Sequence, residues 1–419
     1  MKTQADNRIV VAGTGPAGLI AALGLAKSGF SVSLVGPEAR TDDRRTTALM
    51  SPALRYLNSL GVLHEVEPEA APLSVMRIVD GTHRLVRSPV VTFRAAEIGE
   101  RHFGLNIPNR ILNAALAKAV AQTGSIQWHK TLVDRWTTTS DKVVAELADG
   151  TSLETQLCVA ADGRVSPARE AAGIRTTVHS YPQAALVLNF SHDRGHASTS
   201  TEFHTETGPF TQVPLPGNRS SLVWVVRPHT ADELAALDDA ALSRRVEEQM
   251  QSMLGRVSVE PGRQIYPLSA ILPARFGQNR VALVGEAAHV FPPIGAQGLN
   301  LGVRDVIDLV ETTVKYRADP GSAQSMAAYD RKRRPDVLAR TGAVNLLNMS
   351  LLSNALPAQL ARGAGLGLLG RLSPLRSFFM REGMQPGSGI ASALSRLRPD
   401  FNRLLPGRGR NSAEAGPKA

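Results

Sequence analysis

Few places in this chain combine residue types and spacings that could do chemistry, and the clearest of them are built on glycine. Gly13, Gly15 and Gly18 stand as GxGxxG directly after the apolar run RIVVA and at the mouth of the helical pattern LIAALGLAKSG. Placed so, with Pro16 and Ala17 inside the turn, the backbone amides and the helix dipole can receive a pyrophosphate. A second match, Gly365, Gly367 and Gly370, has no strand before it and no acid after it, and reads as a flexible helix end. A ribose-binding acid ordinarily closes the second strand of such a unit. Here FSVSLVG ends in Gly36, so Glu38 is the candidate, the alternative being an exposed loop carboxylate. Farther on, GEAAHVFPPIGAQGLN (Gly285–Asn300) holds three glycines and two prolines, yet only Glu286 and His289 can carry charge. His289 reads as a hydrogen-bonded structural residue, and no side-chain base is assigned. His129, His179 and His192 lack metal-ligand spacing, so no metal is expected, and there is no Ser-His-Asp signature.

The elements that must position these residues form a recognisable order. RIVVAG, the glycine turn, LIAALGLAKSG and FSVSLVG make a β-α-β unit. FGLNIPNRILNAALAKAVAQTG carries apolar residues at helical spacing, and CVAADGR reads as another buried strand. Between Tyr181 and Tyr266 the texture changes to strand-like AALVLNF and SSLVWVV, a turn-rich GPFTQVPLPGNR and one helical stretch, ADELAALDDAALSRRVEEQMQSML. RVALVGEAAH then restores the nucleotide-fold texture, with helices from about Val303. The expected fold is α/β: a Rossmann-like nucleotide-binding domain, discontinuous over 1–75, 97–180 and 264–340, with an inserted mixed or antiparallel β-sheet substrate domain over 76–96 and 181–263. A helical C-terminal region over 341–405 and a disordered tail over 406–419 complete it.

Composition narrows the function classes. The chain has 419 residues, 43% of them hydrophobic, which is ample for a core. Its formal charge of +10 points to an acidic partner, but only 5% of residues are aromatic and no nucleic-acid-binding motif is present, so nucleic acid is not expected. From Arg371 onward nine basic residues face three acidic ones, placing +6 of the surplus in the tail. Ile390, Leu394, Leu397, Phe401 and Leu404, interleaved with Arg396, Arg398 and Arg403, fit either a basic amphipathic surface helix or a terminal helix packed on the core. Cys158 is the only cysteine, which fits a reducing compartment, and MKTQADNR offers no apolar leader. The expected location is cytoplasmic, with peripheral contact at the inner membrane face.

Four motifs in order, GTGPAG, RTTAL (Arg45–Leu49), ADGRVSPAR (Ala161–Arg169) and GEAAHVFPPIGAQGLNLGVRD, resemble the single-component FAD-dependent aromatic hydroxylases, most closely those of the UbiH type in ubiquinone biosynthesis. The resemblance runs from about Arg8 to Arg334 and includes FGLNIPN and GPFTQVPLPGNRSSLVWVV. It implies that Gly13, Gly15 and Gly18 hold the FAD pyrophosphate, that Arg45 lies near the flavin, and that Asp162 and Gly163 serve both FAD and NAD(P)H. Gly285 and Glu286 would reach the ribityl chain, with Glu286 where the family usually has Asp. A flat apolar flavin needs shape, dryness and backbone dipoles, which Pro293, Gly295, Gln297 and Gly298, followed by Leu299 and Asn300, would supply. The implied reaction is hydroxylation of a polyprenylated phenol with NAD(P)H and O₂ through a flavin hydroperoxide, with membrane contact or a ubiquinone-biosynthesis complex as partners. Two alternatives stay open: a hydroxylase of a soluble aromatic acid or secondary metabolite, for which Arg219 and Arg227 would be the anchors, and a non-catalytic flavoprotein scaffold.

Overall fold

The computed structural model describes residues 8–38, 43–82, 87–293, 298–352, 363–365, 367–368 and 371–384. Its centre is a six-stranded sheet in the order 277–278, 281–283, 158–160, 8–12, 31–35, 126–129. Every pairing is parallel except that of the short edge strand 277–278. Parallel strands buried on both faces should be continuous apolar runs, and Ile9, Val10, Val11 and Ala12 are buried accordingly. The helix Pro16–Lys27 is buried from Gly18 to Ala26, because it packs between the sheet and the helix Gly298–Lys315. Gly24 permits that crowding, since a Cβ there would meet the Tyr56 hydroxyl at 2.3 Å.

An eight-stranded sheet forms the second layer, with the strand Thr176–His192 pairing with Arg219–Val226, Val257–Val259 and Gln264–Pro273. Strands Pro209–Leu215, Thr199–His204, Val75–Asp80 and Val91–Arg94 continue it. Residues 176–180 and 264–273, which the sequence reading gave to the nucleotide-binding unit, thus hydrogen-bond into this sheet. One face packs Leu186, Phe190, Phe210 and Trp224 against two helices, Pro228–Ala236 and Asp239–Gln249. The single helix expected there is broken at Leu237 because the Asp238 side chain accepts the Ala241 N–H at 2.6 Å and starts a second helix.

A three-stranded sheet, Thr46–Met50, Gly104–Pro108 and Ala71–Leu73, lies between the two layers. Thr46 Oγ1 bonds Ser221 Oγ at 3.0 Å, and Asn106 Nδ2 donates to the Pro214 carbonyl at 2.8 Å. After the helix Ala323–Leu352, the helix Ser373–Met384 returns to the edge of the large sheet, where Arg376 pairs with Glu97 at 2.7 Å. The amphipathic pattern over 390–404, the tail 406–419, Gly295 and Gln297 lie outside the described residues.

Candidate active site

The glycine motifs meet because only glycine lets their backbones touch. A Cβ on Gly13 would sit 2.1 Å from the Ala161 carbonyl oxygen, and one on Gly18 would sit 1.9 Å from that of Gly13. The first motif is thereby pressed against the Asp162 segment. On its other side, a Cβ on Gly285 would lie 2.8 Å from that of Ala17. Gly15 is different, because a Cβ there would meet nothing within 4 Å. It caps the helix that begins at Pro16 in ordinary extended geometry (φ −69°), with no side chain accepting the free amides and no acid in the first turn. Open space before an uncapped helix N-terminus fits a pyrophosphate. Gly163 (φ +87°) likewise has nothing within 4 Å of its Cβ position.

Asp162 is spent on structure as well as position. It accepts Ser166 Oγ at 2.5 Å and the Ala168 N–H at 3.1 Å, and burial pushes its pKa up against those hydrogen bonds. Ser166 holds a left-handed conformation (φ 37°), strain localised beside the cleft. Arg169, 5% exposed, donates to the carbonyls of Ala287, Arg164 and Val165 at 2.8, 2.8 and 3.1 Å. It fastens the second motif to the third. Over that joint Arg164 Nε meets Glu286 at 3.1 Å, with both side chains about half exposed.

The third motif is held from behind. Asp305, wholly buried, accepts the Gly285 N–H at 3.0 Å, His289 Nε2 at 2.8 Å and Arg333 Nε at 2.8 Å. Arg333 continues to Asp308 and Asp336 at 2.9 and 3.1 Å, and Asp336 also accepts Arg340 at 3.0 Å. Burial raises the Asp308 pKa; for Asp336 burial also pushes upward, but Arg340, Arg333 and Arg304 outweigh it and hold the carboxyl below its ordinary value. His289 is thus the structural residue the sequence indicated, but its partners Asp305 and Arg333 are far along the chain. GVRD was the one local signal for Asp305, and nothing local marked Arg333.

The remaining sequence candidates fall around this joint. Asn300, at the start of the helix Gly298–Lys315, completes the edge of the strand Thr46–Met50 by donating to the Ala48 carbonyl and accepting the Met50 N–H, both at 2.8 Å. Gly298 and Pro293 are exposed, and Leu299 is half-buried. Arg45 clamps Asp43 through Nε and Nη2 at 2.8 and 2.7 Å. Its charge is stabilised first by that hydrogen bond and, more distantly, by Tyr266 and Glu286. Glu38 is exposed and ion-paired with Lys130 at 2.5 Å. Arg219 forms a two-point pair with Glu260 at 2.7 Å, and Arg227 is exposed before the helix Pro228–Ala236. Among the described residues no group of three His, Cys, Asp or Glu is placed to hold a metal ion.

Residues 6–341 match the family model described as the FAD binding domain. The chain is 34% identical over 412 residues to ubiquinone hydroxylase UbiL of Rhodospirillum rubrum, covering 95% of this chain and 92% of that protein. It is 27% identical to the 3-demethoxyubiquinol 3-hydroxylase of Escherichia coli, covering 87% and 95%. Among solved structures, p-nitrophenol 4-monooxygenase PnpA of Pseudomonas putida shares the fold with a TM-score of 0.73 at 22% identity, over 91% of this chain and 97% of that one.

Two outcomes follow from the buried carboxylates. Asp305→Ala removes the Nε partner of Arg333, which keeps Asp308 and Asp336, and leaves the Gly285 amide and His289 without their acceptor, lowering unfolding stability by about 3 kcal/mol in urea titrations. The Asp336 pKa is lower folded than unfolded, so its contribution is full well above pH 3.8 and is lost as pH falls through the folded-state value. The stability gap between wild type and Asp336→Asn is therefore open at pH 7 and narrows in acid, as paired urea titrations will read.

Proposed function

The chain belongs to the family of FAD-dependent hydroxylases of the UbiH type, and from that premise we propose that it hydroxylates the aromatic ring of a polyprenylated phenol in ubiquinone biosynthesis. It is an FAD-dependent monooxygenase. When bound, FAD would take two electrons from NAD(P)H and activate O₂. The chain's own work is to bind, orient and keep the site dry. Gly13, Gly15 and Gly18 would hold the pyrophosphate, Glu38 the ribose, and Arg45 and the Asp162–Gly163 turn the flanks. Glu286 would turn from Arg164 to accept a ribityl hydroxyl, its extra methylene relative to Asp supplying the reach. The amides from Gly298 to Asn300 would face the flavin edge, where a helix N-terminus favours negative charge.

The carrying observation is the empty space at Gly15 before an uncapped helix. Because nothing touches that position, Gly15→Ala should leave the apoprotein within about 0.5 kcal/mol of wild type. Its methyl would occupy the phosphate's place, so FAD affinity, read by flavin fluorescence quenching, is expected to fall at least about 10-fold, or about 1.4 kcal/mol. Unchanged affinity, or a wild-type protein that stays colourless with FAD added, overturns the assignment.

We propose in addition that the chain docks peripherally on an anionic membrane, where a polyprenylated substrate resides. The basic tail supports this, at about 1 kcal/mol per Lys or Arg near the surface. Among the described residues no helix is long and apolar enough to cross a membrane. Truncation after Gly387 should reduce co-sedimentation with phosphatidylglycerol-containing liposomes, and equal sedimentation of both proteins would refute docking by the tail.

A further inference from the structure

The face of the eight-stranded sheet opposite its helices carries an acid–histidine pair among mainly apolar and uncharged polar neighbours. Directly paired residues share a face. The registers therefore give one row across it: Gln264, Val187, Val223, Thr211, Glu202, Ile78 and Val91. His204 lies two residues beyond Glu202 on the same face. Its Nε2 meets Glu202 Oε1 at 3.0 Å, and Thr211 Oγ1 donates to Oε2 at 3.3 Å. The His204 side chain is 3% exposed and that of Glu202 17%, so the carboxylate is the member nearer open space.

This row borders the flavin side of the molecule. Arg45 shares a cleft with Val187 and Gln264 at one end. The neighbouring row, Ser221, Val213, Ser200, Met76 and Phe93, is met by the strand Thr46–Met50 at both ends: Thr46 bonds Ser221, and Met50, like Met76 and Phe93, packs against the cluster of Ala95, Ile98, Phe103 and Met380. Asn300 is bonded to that same strand at Ala48 and Met50. Glu202 is thus one row from the strand that fixes the start of the flavin-loop helix.

Resting on the hydroxylase reading above, we infer that Glu202 is the general base that takes the proton of the substrate's phenol, and that His204 is the positioning residue that holds its carboxylate. The carboxylate sets the tautomer, so His204 donates Nε2–H to Oε1. Oε2 keeps a lone pair for the phenol beside the Thr211 bond. As the new C–O bond forms at a ring carbon, the O–O bond of the activated oxygen breaks and its electron pair leaves on the second oxygen, which becomes water; electron density leaves the ring and the hydroxyl becomes a strongly acidic protonated carbonyl. Its O–H bond breaks, the proton passes to Glu202 and the electron pair stays on oxygen as a dienone carbonyl. Loss of the ring proton to water then restores aromaticity, the electron pair of the C–H bond passing through the ring to the carbonyl oxygen, which takes back the proton held by Glu202. One atom of O₂ enters the ring, the other leaves as water, and NAD(P)H supplies the two electrons. Among the described residues, the charged groups beside His204 in register or sequence include Asp80, its partner on the parallel strand, whose carboxylate accepts Thr82 and Ser88, and Glu206 beyond the strand end.

The test uses the full-chain holoprotein, NAD(P)H, O₂ and a short 2-prenylphenol, with FAD content and thermal unfolding checked for each variant. General-base removal costs on the order of 10²–10⁴-fold. Glu202→Gln should lower the ratio of product to NAD(P)H consumed by about 10²-fold, with hydrogen peroxide taking up the difference, and Glu202→Asp should recover part of it. His204→Asn should cost about 10-fold and shift the acid limb of the kcat–pH profile. Should Glu202→Gln lose its FAD, Thr211→Val decides: a several-fold fall in the same ratio supports the pair and an unchanged ratio overturns it. Hydroxylation by Glu202→Gln within about 3-fold of wild type, or an unmoved pH limb in His204→Asn, also overturns it. A wild-type protein that binds and reduces FAD yet leaves the phenol untouched sinks the substrate reading instead.

Discussion

A loop that must lie flat against a large apolar group cannot spend its own side chains on holding itself, so it has to be gripped from the far side. Asp305 supplies that grip. One carboxylate oxygen takes both the Gly285 amide and His289, and the other takes Arg333, so the loop's entry, its one histidine and the helix Ala323–Leu352 share one buried anion. A buried charge is tolerated only when paired and hydrogen-bonded, and this one has three donors. Between His289 and the last described residue of the loop, Pro293, the sequence places only Val290, Phe291 and Pro292, none with a charged side chain.

The same division of labour recurs at the other motifs. Asp162 caps a short helix and Arg169 ties three carbonyls, leaving Gly163 open on the cleft side. Asn300 mends the edge of a strand with its side-chain amide, tying the start of the helix Gly298–Lys315 to the strand Thr46–Met50. In each case the polar side chain works on the protein itself, and Arg169 and Asn300 join segments far apart in sequence.

The first β-α-β unit was legible because its signals are local: an apolar run, a glycine turn and a helical pattern within about thirty residues. The grip on the third motif was not, since Gly285 and Arg333 are related only by folding, and no periodicity connects a loop to a helix that follows it by another helix. The break at Leu237 hid because ADELAALDDAAL keeps helical spacing across it, and only the capping choice of Asp238 ended one helix and began the next. Strand Gln264–Pro273 was placed in the wrong layer for a related reason: its strand character was local, but its partner Thr176–His192 was some ninety residues away. Glu202 and His204 were passed over because polar residues near GPF read as turn until the register put them on one face.

That face also bears on the choice between a neutral phenol and an aromatic acid. An anionic substrate needs a free cation in its pocket, since removing a carboxylate from water without a partner is costly. The described strand residues of this face include Arg219, His204 and, at the far end beside Tyr181, His179. Arg219 is engaged twice by Glu260, and His204 by Glu202. Glu202 places a carboxylate on this face, held by His204 and Thr211. Val187, Val223, Ile78 and Val91 supply the rest of the row, and Met50, Met76 and Phe93 border it with side chains soft enough to pack against an irregular apolar tail. On the proposed reading, an uncharged ring could give its one hydroxyl to Glu202 and lay an apolar chain along these side chains, whereas an aromatic carboxylate would bring a second negative charge to that carboxylate.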